Sequence, residues 1–235
     1  MNRLSIPHFL CALEAESDTL ASLGESVNVR VSGMGGEAVK KSLDDVQPNE
    51  INCIISWGVC GALEKQLQSG DIILPRHVVD QYGASFSCDS LWRERLRQVF
   101  VNANLSLAGQ SDSLLSSDAI VTEVIDKIRL WKKTHADAVD MESFALARFA
   151  QQHNIPFVVV RAVADASDHS LPKAAMFEVG QSKVSLKTLI SVLTHPLQWM
   201  ALIKTAKQFN KALLTLKCAA RSLHSQSVFS AARQD

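Results

Sequence analysis

The seven residues after Pro156, Phe157-Val-Val-Val-Arg161-Ala-Val163, form the most β-branched run in this chain and constrain its fold more than any other feature. Branched side chains suit a pleated surface, and an apolar run without alternation asks to be covered on both faces. Such a strand lies inside a sheet flanked by helices. Other segments agree with that reading. Pro7 to Leu13 is a short apolar run that leads into Glu14-Ala-Glu16, and Asn28 to Ser32 alternates until Gly33-Met-Gly-Gly36 breaks it. A helical pattern follows at Ala38, Val39 and Leu43. Ile51 to Trp57 reads as a further strand, Gly58-Val-Cys-Gly61-Ala-Leu63 as a second glycine turn, and Asp71 to Leu74 as a strand stopped by Pro75. Helices are expected from Leu91 to Asn102, around Thr122 to Lys133, and from Asp140-Met-Glu-Ser143 to His153, where Asn154 ends the pattern. Strands alternating with helices predict an α/β sheet covered on both faces, with any site at the carboxyl ends of its strands.

A chain of 235 residues with 47% hydrophobic and 20% charged residues fits one large globular domain and excludes a disordered or collagen-like polymer. Basic and acidic residues balance at 24 each, so no net charge draws the chain to nucleic acid. The balance hides an asymmetry: beyond Glu178 there are eight basic residues and a single acid, Asp235. The five cysteines are odd in number and scattered, which predicts free thiols in a reducing cytoplasm. No cleavage-site pattern follows the first apolar stretch and no run of 18 apolar residues occurs, so neither a signal peptide nor a membrane span is expected.

The tail reads as a long helical hairpin or pair split by Pro196. In the second piece Leu202, Ala206, Phe209, Leu213, Leu216, Ala220 and Leu223 recur at steps of four and three, a narrow apolar seam. Lys204, Lys207 and Lys211 lie off that seam. Two readings follow: a helix docked on the body or on a partner subunit with solvated lysines, or a basic surface resting on anionic lipid at the inner membrane face. The expected organisation is a catalytic body over 1–183, a basic helical extension over 184–225 and a short tail over 226–235.

The glycine turns match neither the dinucleotide nor the Walker pattern. No histidine pair at one-turn spacing has an acid beside it and no two cysteines sit two apart, so a metal site is not expected. A Gly-x-Ser-x-Gly elbow is absent. Carboxylates remain: Glu14 and Glu16, Asp140 and Glu142, Asp165 and Asp168, at strand ends and the start of a helix. Each alone is explained by capping or a turn. Together they can converge on one cleft, where a buried carboxyl stays protonated while another is ionised.

Four motifs in order, Gly58-Val-Cys-Gly-Ala-Leu63, Gly70-Asp-Ile-Ile-Leu-Pro75, Val139-Asp-Met-Glu-Ser143 and Val158-Val-Val-Arg-Ala-Val-Ala-Asp165, resemble the superfamily of nucleoside phosphorylases and methylthioadenosine/adenosylhomocysteine nucleosidases. Ala12-Leu-Glu-Ala-Glu16 is similar to that family's opening acidic motif, and the likeness runs from about Phe9 to Asp168. The Asp-Met-Glu-Ser form, Leu171-Pro-Lys-Ala-Ala175 and the basic tail resemble the hopanoid-associated branch, which releases adenine from adenosylhopane.

The resemblance implies a three-layer α/β/α fold around a mixed sheet, a homo-oligomer, no metal or organic cofactor, and either water or inorganic phosphate as nucleophile. It implies that Asp165 protonates N7 of the purine, that Glu142 binds the ribose hydroxyls, and that Met141 packs on the ribose. Glu16 matches the acid that activates water. Val59, Ile120, Val121, Gly35 and Gly58 fall at substrate-binding positions. The chain departs from the pattern at Val59, where a hydroxyl is common, at Ala62, where glycine is usual, and at Ile120, where an aromatic often stacks on the base. These changes suit a large apolar 5′ substituent. Arg30, Arg76 and Arg161 are the arginines near the motifs, and none is assigned to a phosphate clamp. Rival readings are a nucleosidase for soluble substrates, a non-catalytic nucleoside-binding module and a membrane-surface scaffold.

Overall fold

The computed structural model describes residues 6–171 and 196–225. Ten strands form one mixed sheet: β1 (His8–Cys11), β2 (Asn28–Val31), β3 (Ile54–Ala62), β4 (Ile72–Ile73), β5 (His77–Asp80), β6 (Ser85–Ser87), β7 (Leu107–Ala108), β8 (Ser113–Ser116), β9 (Ala138–Asp140) and β10 (Phe157–Asp165). The helices are α1 (Glu14–Ser17), α2 (Gly36–Leu43), α3 (Ser90–Asn102), α4 (Val124–Thr134), α5 (Ser143–Gln152) and α6 (Pro196–Ser225). The order across the sheet is β6-β5-β8-β9-β3-β10-β4-β7.

β10 is the expected central strand, and all nine of its residues are buried. Its side chains alternate between two cores. Val158, Val160, Ala162 and Ala164 pack with Trp92, Leu96, Val99 and Phe100 of α3 and with Ala212, Leu216, Ala219, Ala220 and Leu223 of α6. Phe157, Val159 and Val163 pack on the other face with Val39 and Leu43 of α2 and Leu146, Ala147 and Ala150 of α5. The fold is therefore three-layered, and α6 covers the sheet as an integral part of one layer. Asn154 adopts a φ of 54° just beyond α5, which ends that helix where the sequence predicts.

β3 corrects the glycine-turn reading of Gly58 to Gly61, because the strand runs straight through both glycines. β10 lines one edge of β3 in parallel register from Ile54 to Gly61. The other edge is shared. β1 pairs with Ile54, Ile55 and Ser56, and β9 takes over, antiparallel, at Gly61 and Ala62. The sheet thus forks along β3, and the fork opens beside Trp57 to Cys60.

The tail seam also needs correction. Ala206 is exposed, and the face that meets the body is Phe209, Ala212, Leu213, Leu216, Ala219, Ala220 and Leu223. A helix that fits one broad body uses a wider stripe than a strict four-three seam. Lys204, Lys207 and Lys211 face solvent. The helix docks as the first of the two readings predicts. The expected first piece of the helical pair, most of Leu171 to Ala175, the boundary at 183/184 and the tail over 226–235 lie outside the described residues.

Candidate active site

The acids that the sequence singles out are placed by the ends of three strands. Beyond β1 the chain turns at once into α1, and the third residue of that turn, Glu16, reaches back to its start. Glu16 Oε2 accepts the N–H groups of Ala12 at 2.9 Å and Leu13 at 3.0 Å, while Oε1 accepts that of Val59 at 2.8 Å. The Val59 N–H lies in the fork of β3, so the carboxylate stands where a neighbouring strand would. Gly58 is glycine for this reason. A Cβ there would lie 2.3 Å from Arg161 Nη1 and 2.4 Å from Glu16 Oε1.

Glu142 follows β9 and precedes α5. Its Oε1 accepts the Gly35 N–H at 2.7 Å, and Gly35 holds a φ of +89° that presents that group. Asp165 is the last residue of β10, where the register against β3 shifts between Val163 and Asp165. An irregularity of this kind re-aims a side chain at the end of a strand.

Between these acids lies a cavity of about 190 Å³. Glu16, Asp140, Glu142 and Asp165 reach it, and so do Val59, Met141, Ile120 and Val121. Its remaining walls are mostly apolar, among them Leu13, Met34, Leu171 and, from α6, Phe209. Gly35 and Gly58 do not line it: they act through Glu142 and Glu16. Glu14 and Asp168 stay in solvent, and Asp168 pairs with His169 at 2.5 Å. Glu14 lies two positions before Glu16 and Asp168 three beyond Asp165, and neither side chain turns inward.

Two buried cations answer the buried acids. Arg161 points from β10 beneath the cavity floor, 1% exposed, and donates to Asp140 Oδ2 from Nε at 2.9 Å and from Nη2 at 2.7 Å. It also reaches Ser56 Oγ at 2.9 Å and lies 3.8 Å from Glu142 Oε2. Lys127 of α4 pairs with Asp165 Oδ2. Burial raises the pKa of Glu16, Glu142 and Asp165 above the usual carboxylate range. Asp140 reinforces the rise at Glu142, Arg161 opposes it at Glu16 and Glu142, and Lys127 opposes it at Asp165. Raised carboxyls beside a carboxylate position that accepts several N–H bonds are the arrangement from which one acid can give a proton and another take one.

The sequence reading left several of these residues without a part. Arg161 was visible as a lone charge inside the most apolar strand, and a charge there demands buried partners. Lys127 falls within the helix expected around Thr122 to Lys133, and the sequence gives it no part of its own. Phe209 belongs to the apolar seam in the sequence, and its place in the cavity wall depends on how α6 crosses the sheet. Of the arginines near the motifs, Arg30 pairs with Asp45 and Arg76 with Asp112, both at the surface.

Known proteins resemble this chain in sequence and in fold. A 5'-methylthioadenosine/S-adenosylhomocysteine nucleosidase of Staphylococcus aureus is 30% identical over 132 residues, a stretch that spans 49% of this chain and 57% of that relative. The futalosine hydrolase of Helicobacter pylori superposes with a TM-score of 0.71 at 15% identity, over 95% of this chain and 98% of that one. The 5'-methylthioadenosine/S-adenosylhomocysteine nucleosidase of Neisseria meningitidis, solved with methylthio-immucillin-A, superposes with a TM-score of 0.69 at 19% identity, over 94% of this chain and all of that one. These superpositions match the mixed sheet and its helical layers. The sequence profile of the phosphorylase superfamily matches residues 19–194, three quarters of the chain, and the protein belongs to that superfamily.

Proposed function

We propose that the protein hydrolyses the N-glycosidic bond of an adenine nucleoside that carries a large apolar 5′ substituent, with adenosylhopane as the candidate substrate. The observation that carries the reading is the meeting of Glu16, Glu142 and Asp165 in one apolar cavity at the ends of three strand units. As the C1′–N9 bond lengthens, its electron pair passes into the purine and Asp165 delivers a proton to N7. Glu142 holds the ribose hydroxyls and its charge favours the oxocarbenium-like sugar. Glu16 takes a proton from the water that attacks C1′. General acid catalysis of this kind contributes ~10² to 10⁴-fold.

Water is preferred to phosphate because, among the described residues, the cavity lining includes neither arginine nor lysine. A phosphate dianion would enter a space bordered by four carboxyl groups. The apolar walls at Leu13, Met34, Leu171 and Phe209 support an apolar 5′ group. Relatedness to a nucleosidase for methylthioadenosine and adenosylhomocysteine supports adenine as the base.

The test is adenine release from adenosylhopane in detergent, with and without phosphate, with methylthioadenosine as comparator and the sugar product identified by mass. Release independent of phosphate, giving the free ribosyl lipid, is expected, with adenosylhopane turned over at the higher kcat/KM. A phosphoribosyl product would replace hydrolysis by phosphorolysis. A clear preference for methylthioadenosine would favour the soluble-substrate reading, and no release from either would leave a binding module.

A further inference from the structure

Helix α4 buries a lysine on the side where its apolar residues Ile128 and Leu130 are partly buried. Its buried residue is Lys127, fully enclosed, while Ile125 beside it is 62% exposed. Lysine is almost never buried unless paired, and departures from local pattern concentrate where a site needs them. The three protons of Lys127 Nζ are all committed. One goes to Asp165 Oδ2, and the others go to the carbonyl oxygens of Ala166 and His169 at 2.9 Å each. One ammonium thus grips the carboxyl group at the end of β10 and the loop after it, which leads to Leu171 in the cavity wall.

We propose that Lys127 is the positioning residue of Asp165: it fixes the orientation of the carboxyl group and stabilises the carboxylate left behind when the proton moves to the purine. The inference rests on the N-glycosidic reading above and deepens it. An acid enclosed in apolar surroundings holds its proton but is a poor donor if its conjugate base has no counter-charge. In the transfer the Asp165 O–H bond breaks, the N7–H bond forms, and the electron pair stays on the carboxylate oxygen, beside an ammonium already in place. The transferred proton does not pass through Lys127. Preorganised charge of this kind needs no rearrangement at the moment of reaction.

Other groups face Asp165 less directly. His169 lies on the same loop, with Asp168 on one ring nitrogen and Lys204 of α6 on the other. Cys60 of β3 lines the same cavity, with its thiol pushed up and uncharged by burial. Glu16, Glu142 and Arg161 stand across the floor. Lys127 is the charged side chain in hydrogen-bond contact with the carboxyl group.

Lys127→Met in the full-length protein tests this, with adenine release followed across pH and the Asp165 carboxyl carbon titrated by NMR, its signal assigned through Asp165→Asn. Loss of a neighbouring ammonium removes an influence of about one unit or more on a carboxyl pKa. The Asp165 titration and the alkaline limb of kcat should both move to higher pH by about that amount. We expect kcat to fall at least about tenfold, as when a preorganised charge is lost, with KM changed much less. Lys127→Arg should restore most of the rate. Asp165→Asn combined with Lys127→Met should lose no more than Asp165→Asn alone. An unmoved Asp165 titration, or losses that multiply in the double variant, would overturn the proposal. If Lys127→Met fails to fold, Lys127→Gln, which keeps donors for the two carbonyls, carries the same readouts. Asp165→Asn that keeps its rate would overturn the N-glycosidic reading itself, while the NMR titration reports on the pairing independently of turnover.

Discussion

Glu142 is enclosed beside Asp140, and burial makes its charged form costly in the folded protein. Its folded pKa lies above the unfolded value of about 4.3. The stability contributed by the group is therefore fully present below that unfolded value, and is lost as pH rises through the folded one. Glu142→Gln keeps an acceptor for the Gly35 N–H and removes the charge. The variant should melt at a higher temperature than the parent at pH 8, match it near pH 4, and lose adenine release. An equal difference in melting temperature at both pH values would show that the gain has another source. The carboxylates were legible in the sequence because acids at strand ends announce themselves. Their counter-charges were less so: Arg161 stands out as a charge in an apolar strand but its partners do not, and Lys127 sits in a helix whose pattern gives no sign of the burial decided by neighbours far along the chain.

At the level of elements, β3 departs furthest from its local sequence signals. Two glycines three apart suggest a turn, yet the strand continues, because Gly58 yields its Cβ space to Glu16 and Arg161. No local propensity encodes a close approach by residues 42 positions before and 103 after. Gly58→Ala should cost about 1–3 kcal/mol, as overpacking does, since the groups in its way are fixed in a hydrogen-bonded network. A chemical-denaturation midpoint equal to that of the parent would contradict this account. Helix α6 tells the opposite story. Its helical pattern and outward lysines were legible, while its breadth of contact was set by the sheet beneath. Its outer face carries Lys204, Lys207 and Lys211 together with exposed Ile203 and Leu214. If that face rests on anionic lipid, neutralising Lys207 and Lys211 should reduce sedimentation with phosphatidylglycerol vesicles and leave turnover of a soluble nucleoside unchanged. Equal sedimentation of both proteins would confine α6 to its part in the core.

At the scale of the whole molecule, no helix among the described residues is long and apolar enough to cross a membrane. The three-layer arrangement was readable from the order of strands, helices and glycines, because each unit obeys the same burial rule. The fork was not, since it depends on β9 running antiparallel to β3 after β1 has ended. That fork ties reaction and architecture together. Glu16 closes the open edge of β3 by taking three backbone N–H groups, so Glu16→Gln, which places a donor where an acceptor is needed, should lose both turnover and cooperative unfolding at the parent temperature. A variant that loses turnover alone would separate the two roles. The same coupling bears on how such chains diverge. A descendant that abandoned the reaction would still be selected to keep this glutamate as a fastener of its sheet. Its presence in a distant homologue therefore records inherited architecture, and only cavity-lining residues that hold no other group in place, Ile120 and Met141 among them, would drift once the chemistry was gone.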